Sequence, residues 1–344
     1  MLGKKKILFL TGSINQTIQM HSISKFLPQF DCYFSQFFSE NIFISKAIEW
    51  GVLDTTIMGN PLRKRAEEYI HKNQLPNDYK AKLNTYDLVV FCSDMLFQKK
   101  FLNTKTIWVQ EGMIDPYTLL SAFIQKTGIP RYWSFGTSLN GTSNLCDVYC
   151  AASEGYKKYF IEKGTDENKI TVTGIPNYDH LIQHKQNDFE HRDYVMVATT
   201  DMRETYRYEN RPKFLQKCVE IAAGRKMLFK LHPNEKKDRA IREIKENCPE
   251  DTLIYTEGPT NDMIANCEEL ITQYSTVVYT GIALGKKVHS FFDLADLLEK
   301  MPVQNGGESA QRIAKICETY LEFTGSKEAF LNQLPSNIQK ETYV

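Results

Sequence analysis

Short apolar runs rich in β-branched and aromatic residues recur along the chain, each leading into a polar or glycine-containing loop and then into helical periodicity. Ile7–Leu10, Leu88–Cys92, Thr106–Val109, Ile129–Phe135, Asp147–Ala152, Lys169–Thr173, Tyr194–Thr200, Lys226–Leu231, Leu253–Tyr255, Glu269–Thr272 and Lys286–Phe292 are of this kind. Continuous apolar runs between helices read as strands of a parallel sheet covered on both faces, because a strand with one wet face alternates polar and apolar residues. The expected class is therefore α/β. A chain of 344 residues is too long for one small core, so the pattern predicts two doubly wound domains facing one another across a cleft. The polar stretch His180–Asp193 reads as the linker, which sets the first domain at 1–180, the second at 194–320 and a helical tail at 321–344.

Two strand ends carry the residues best suited to an anion. Lys226–Leu231 runs into His232-Pro233, where proline has no N–H for the ladder and stops the strand, leaving a histidine at its carboxyl edge. Glu269–Thr272 leads to Ser275-Thr276, at the expected start of a helix through Val277, Val278, Ile282 and Leu284. Hydroxyls of this kind cap helices, and free backbone N–H groups beside them attract phosphate. If both strands share one parallel sheet, the two ends meet at the crevice where such sheets bind ligands. The pair reads as a phosphate clamp, although a lone His-Pro turn and a lone Ser-Thr cap are each commonplace.

The strand Thr106–Val109 ends in Gln110-Glu111-Gly112, which leaves a carboxylate at the open edge of the first sheet, where a base could face substrate; as a mere helix cap Glu111 would need no such role. The first strand leads into Thr11-Gly12-Ser13 and a helix through Met20, Ile23 and Leu27, without the Gly-x-Gly-x-x-Gly of a dinucleotide site. The following segment, Phe26 to Trp50, is unusually aromatic and reads as core with the option of an exposed acceptor or membrane-facing patch.

Composition narrows the classes. Forty-two basic residues balance 42 acidic ones, so no global charge draws the chain to nucleic acid or anionic lipid. Eight cysteines are scattered without a Cys-x-x-Cys pair, which suits buried thiols in a reducing cytosol rather than disulfides or zinc. The apolar run of the N-terminus stops at Thr11-Gly12, and no stretch approaches the roughly 18 apolar residues of a membrane span. Cytoplasmic location, with membrane association limited to the peripheral kind, is the expectation.

The order of these motifs resembles that of GT-B glycosyltransferases of bacterial surface polysaccharides, in particular the grouping of sialyltransferases, Kdo transferases and CDP-glycerol glycerophosphotransferases. Glu111-Gly112, His232-Pro233 and Ser275-Thr276 match the three sialyltransferase motifs in order, with Gln110 where a second acid is usual. The resemblance implies two Rossmann-like domains in a GT-B arrangement and an inverting, metal-independent transferase using a CMP- or CDP-linked sugar and a glycan or glycolipid acceptor. It implies Glu111 as base and His232 with Ser275, Thr276, Lys230 and Pro233 on the donor phosphate. Gly281, Arg203, Glu204 and Gly174 would complete the donor side, and Gly12, Ser13, Gln110 and Gly112 the acceptor side. No cofactor or metal is implied, and no Asp-x-Asp is present. The same skeleton is also similar to the non-hydrolysing UDP-GlcNAc 2-epimerases, although Val197–Glu204 lacks their His-Arg-Arg-Glu-Asn run and Gln273-Tyr274-Ser275-Thr276 replaces Asp-Ser-Gly-Gly. The transferase is the expected function, with the epimerase or a catalytically degenerate nucleotide-sugar-binding protein as alternatives.

Overall fold

The computed structural model describes residues 3–51, 59–134, 136–205, 207–304 and 306–339. The first part of the chain runs β1 (Lys6–Thr11), α1 (Ile14–Ser24), β2 (Asp31–Gln36), α2 (Ile42–Glu49), α3 (Asn60–Lys72), β3 (Leu88–Phe91), β4 (Lys105–Val109), α4 (Leu119–Thr127), β5 (Val148–Ala151), α5 (Glu154–Glu162) and β6 (Ile170–Val172). The second runs β7 (Val195–Ala198), α6 (Arg211–Ala222), β8 (Met227–Lys230), α7 (Lys237–Asn247), β9 (Leu253–Tyr255), α8 (Thr260–Asn266), β10 (Glu269–Thr272), α9 (Val277–Ala283), β11 (Lys287–His289) and α10 (Leu294–Glu299). Helices α11 (Ser309–Glu322) and α12 (Lys327–Gln339) follow.

The strands form two parallel sheets, ordered β2-β1-β3-β4-β5-β6 and β11-β10-β7-β8-β9. This is the Rossmann-like, two-domain α/β architecture expected from the alternation. Each sheet is buried on both faces, which is why its strands read as unbroken apolar runs. In the first, Ile7, Phe9, Val90 and Ile107 join Met20 and Ile23 of α1 on one face. In the second, Val195, Val197 and Phe229 pack on Phe214, Leu215 and Ile244 of α6 and α7, while Met196 and Leu228 pack on Met263 and Ile264 of α8.

Strand order reverses between β1 and β3 in the first sheet and between β7 and β10 in the second. The crossover helices diverge at such a point and leave a crevice outside the strands' carboxyl ends. The residues placed there are Thr11-Gly12-Ser13 and Cys92–Asp94 in one sheet, and Thr199–Asp201 and Gln273–Thr276 in the other.

The chain divides into two compact units, Met1–Asp179 with Glu299–Val344, and His180–Leu298. The second unit is thus shorter than the 194–320 division, and α11 belongs with the first. Ile313, Ile316, Cys317 and Tyr320 fall at helical spacing on α11 and are buried against the first sheet. Gly174, after β6, makes that close approach feasible: its φ is +83°, and a Cβ there would collide with the Ser309 hydroxyl at the start of α11.

Three local readings differ. Asp31–Gln36 is a strand in register with β1, concealed in sequence by the surrounding aromatic residues. Arg131–Ser134 forms a 3-10 turn instead of a strand, Pro130 supplying no ladder donor; Phe135 lies outside the described residues. The stretch Tyr79–Leu83, helical by its sequence pattern, is a turn, because the Asp78 carboxylate accepts the amides of Lys82, Leu83 and Asn84 at 2.8–3.1 Å.

Candidate functional site

In the first unit the site begins with a helix cap. Ser13 Oγ accepts the Gln16 amide at 3.2 Å, and Gln16 Oε1 accepts the amides of Gly12 at 2.7 Å and Ser13 at 3.4 Å. Gly12 and Ser13 therefore direct their N–H groups inward, and the start of α1 is closed by its own side chains. The other end of the Gln16 amide donates to the carboxylate of Glu111, the residue two positions beyond β4. Glu111 is half-buried on the face that carries Ile107 and Val109, close enough to Cys92 for its charge to help burial push that thiol up. Burial raises the Glu111 carboxyl above the ordinary range, and Gln16 offsets part of the rise. A carboxylate raised in this way, at the open end of a parallel sheet, is a stronger base than an ordinary one and suits proton transfer.

Gln110 does not share the duty. It is fully buried, its amide donates to Gly112 O at 2.9 Å, its carbonyl oxygen accepts Ala152 N at 2.9 Å, and its main-chain oxygen accepts Gln19 Nε2 at 3.0 Å. It braces β4 to β5 and α1, with Gly112 as the acceptor that completes the turn. Sequence reasoning missed the other glutamines here. Gln36 ends β2 and Gln98 lies in the loop after β3; both side-chain atoms of Gln36, with Gln19 Oε1 and Gln98 Oε1, are buried without a hydrogen-bond partner among the described residues. Neutral amides with free donors and acceptors suit hydroxyl-rich ligands. The aromatic segment splits: Phe34, Phe37 and Phe38 are buried, whereas Ile42, Phe43 and Trp50 are exposed.

In the second unit β7 is the organiser. Thr199 Oγ1 donates to Glu235 Oε2 at 2.6 Å and accepts the main-chain N–H of His232 at 3.0 Å, tying the His-Pro turn to the end of β7. Thr200 Oγ1 donates to Gln273 Oε1 at 3.0 Å, tying the approach to Ser275 to the same strand end. His232 and Ser275 are thus brought to the two flanks of β7, on β8 and β10. The main-chain N–H of Asn234 donates to His232 Nδ1 at 3.3 Å. The carboxylate of Asp201, accepting from Asn234 Nδ2 at 3.0 Å, lies 3.6 Å from Nδ1. Pro233 is exposed at the turn. Ser275 is half-buried, and Thr276 stands at the N-cap of α9 without capping it; α9 is only 7 residues long.

Other expected donor-side residues have different partners. Lys230 is buried, its ammonium donating to Leu231 O at 3.0 Å and Thr256 O at 3.4 Å, and burial lowers its pKa. Arg203 grips Glu243 with two hydrogen bonds of 2.8 Å and lies 3.0 Å from Glu209. Glu204 pairs with Arg239 and accepts the Lys236 amide at 3.3 Å. Arg211 joins Glu209 and Glu235, so Arg203 and Arg211 anchor a buried ionic cluster beneath the His-Pro turn. Gly281 is a packing glycine: a Cβ there would lie 2.7 Å from Leu270 and 2.8 Å from Val288. Gly174 sits in the first unit, against α11. A cavity of about 780 Å³ opens between α6 and β10–β11, lined by Phe214, Ile271, Gln273, Ser290 and Phe291. Among the described residues no group of three or more His, Cys, Asp or Glu is arranged to hold a metal ion.

No protein-family model matches the sequence, and no curated protein matches it. Solved structures do match in fold. A Listeria monocytogenes protein described as a candidate UDP-N-acetylglucosamine 2-epimerase is 12% identical with a TM-score of 0.58, over 94% of this chain and 98% of that one. Staphylococcus aureus MnaA, solved with UDP, is 11% identical with a TM-score of 0.54, over 94% and 98%. The Neisseria meningitidis UDP-GlcNAc 2-epimerase, solved with UDP-GlcNAc, is 11% identical with a TM-score of 0.51, over 98% and 94%. Identity this low speaks to the fold, and at the coarse GT-B-like level the resemblance read from the sequence stands. Its finer part is corrected. Two of these three are named as UDP-GlcNAc 2-epimerases and none as a sialyl- or Kdo-transferase, so the glycosyltransferase assignment, with its inverting transfer to a glycan acceptor, is withdrawn. The reason lies in the motifs: His-Pro and Ser-Thr are two-residue matches at strand ends, and matches that short do not separate one chemistry from another.

Proposed function

We propose that the chain is an enzyme of the UDP-sugar 2-epimerase type, with Glu111 as the base that works on C2 of the sugar. The observation that carries this reading is the state of Glu111. It is a single carboxylate raised above its ordinary range, held by one neutral donor, at the open end of the first sheet. Full-length likeness in fold to structures named for UDP and UDP-GlcNAc supports the nucleotide sugar as substrate.

Chemistry limits the route. C1 of a nucleotide sugar is an acetal carbon, so the C2 proton is not acidified by a carbonyl. It can leave if the bond from C1 to the diphosphate oxygen breaks in the same direction. Glu111 would take the proton from C2, the C2–H electron pair would form the C1–C2 double bond, and the C1–O pair would leave on UDP. Delivery of a solvent proton by water to the opposite face of C2, with re-addition of UDP to C1 and loss of the first proton from Glu111 to solvent, completes inversion at C2. In the second unit, His232 and the hydroxyls of Ser275 and Thr276 are the groups suited to a phosphate. Lys230, held on two main-chain carbonyls, sets the turn rather than binding the anion.

The test is incubation with UDP-GlcNAc in D2O. Deuterium should enter at C2, with the 2-epimer and traces of free UDP, and Glu111→Gln should abolish exchange while retaining UDP binding. UDP-GlcNAc that binds yet keeps its C2 proton through prolonged incubation would remove the epimerase reading.

A further inference from the structure

Helix α4 of the first unit carries large apolar residues on its outer side as well as Ile124 on its inner side. Its inner side is fixed: Thr118 and Ser121 form a capping box, Ser121 Oγ meets Ser138 Oγ at 2.8 Å, and Ile124 packs with Met95 and Leu139. Gln125 donates to Lys163 O at 2.7 Å and accepts from Tyr117 at 2.6 Å. Its outer side holds Leu119, 92% exposed, with Leu120 and Phe123, 57% exposed. The 3-10 turn Arg131–Ser134 packs against the helix and adds Trp133, 51% exposed, and Ile129 precedes it. The inner anchors hold α4 in place, and the apolar side chains of its outer side have no cover among the described residues; exposed apolar patches of this kind mark interaction surfaces.

We infer that this face, Leu119, Leu120, Phe123, Ile129 and Trp133 with Lys126 among them, docks on an anionic lipid surface. Two observations favour lipid over a second copy of the chain. The patch offers a handful of apolar side chains, against the roughly 20–30 residues a side of a stable protein interface. Its charge has one sign: from Pro116 to Cys146 there is no aspartate or glutamate, only Lys126 and Arg131. Arg131 turns inward to Leu139 O and Thr142, so the exposed charge is the Lys126 ammonium, with Lys163 nearby over the Tyr117 ring at 4.7 Å. Leucine and phenylalanine dipping into the acyl boundary, with tryptophan and lysine at headgroup level, is the chemistry of a helix lying in the membrane plane. At 9 residues α4 cannot cross the bilayer, and among the described residues no helix is long and apolar enough to do so.

The test uses the full chain and vesicles of phosphatidylcholine alone or mixed equally with phosphatidylglycerol, separated by sedimentation. Wild type should pellet with the mixed vesicles and less with phosphatidylcholine. Leu119→Glu/Phe123→Glu should lower the partition coefficient at least about tenfold with an unchanged melting temperature, since both side chains point outward. Lys126→Glu should weaken binding to mixed vesicles only, and Leu294→Glu, an exposed apolar site in the second unit, should change nothing. Wild type left in the supernatant, or a double variant that pellets like wild type, overturns the inference. So does a wild-type dimer that the double variant dissociates without any vesicle binding, which would give the face to a second copy.

Discussion

Replacing Thr199 with valine should both destabilise the second unit and change how its stability depends on pH. Valine keeps the shape and removes one oxygen. That oxygen now donates to the buried Glu235 carboxylate at 2.6 Å and accepts the His232 amide at 3.0 Å. Depriving a buried charged group of one donor costs about 1–3 kcal/mol, and leaving a partly buried amide unpaired about 1 kcal/mol more. The expected loss at neutral pH is therefore about 2–4 kcal/mol. The Glu235 carboxyl is already raised above its ordinary value, burial outweighing Arg211 and the Thr199 hydroxyl. Removing the hydroxyl raises it further. An acid whose folded pKa exceeds its unfolded pKa favours folding at low pH and opposes it as pH rises through the folded value. The extra penalty in the variant is thus present above the raised pKa and relieved below it. Urea denaturation of both proteins at about pH 8 and about pH 5, compared as variant minus wild type so that other titrations cancel, should show a deficit that shrinks on acidification. A deficit that grows on acidification, or no deficit at either pH, would refute the account of this hydroxyl.

Other expectations are simpler to state. Glu111→Gln should leave UDP affinity within about twofold of wild type while removing C2 exchange, because the amide cannot accept the proton. Gln16→Ala should shift the acidic limb of the kcat–pH profile upward, since it deletes the donor that holds the Glu111 carboxylate down; a downward shift would contradict the geometry. His232→Ala should weaken UDP binding about tenfold or more by isothermal titration, and an unchanged affinity would remove the histidine from the diphosphate site. Gly281→Ala should cost about 1–3 kcal/mol in thermal or urea unfolding through contact with Leu270 and Val288, with UDP affinity of the folded protein unaffected.

How much of this was legible differs from residue to residue. Ser13 and Gln16 stand at capping-box spacing, so the closed start of α1 could have been read from the sequence. Gln110 could not: whether a glutamine after a strand faces a ligand or braces the next strand depends on Ala152, which is 42 residues away. Arg203 and Glu204 follow the end of β7 and Lys230 ends β8, and the resemblance put all three on the donor side. Their partners Glu243, Arg239 and the carbonyl of Thr256 lie on other elements, and pairing decides whether a charge is available to a ligand.

Local chemistry alone determined that this chain forms short parallel strands between helices, that proline ends β8 at His232, and that an acid stands just beyond β4. Those facts follow from hydrophobic periodicity and backbone sterics, which act within a few residues. Tertiary structure decided which strands are neighbours, and hence that the ends of β7 and β10 form a switch point with His232 and Ser275 on either flank. It also returned α11 to the first sheet, gave Gly174 and Gly281 to packing, and left the outer face of α4 bare. Such outcomes depend on contacts between residues far apart in sequence, where burial and pairing give a side chain its role.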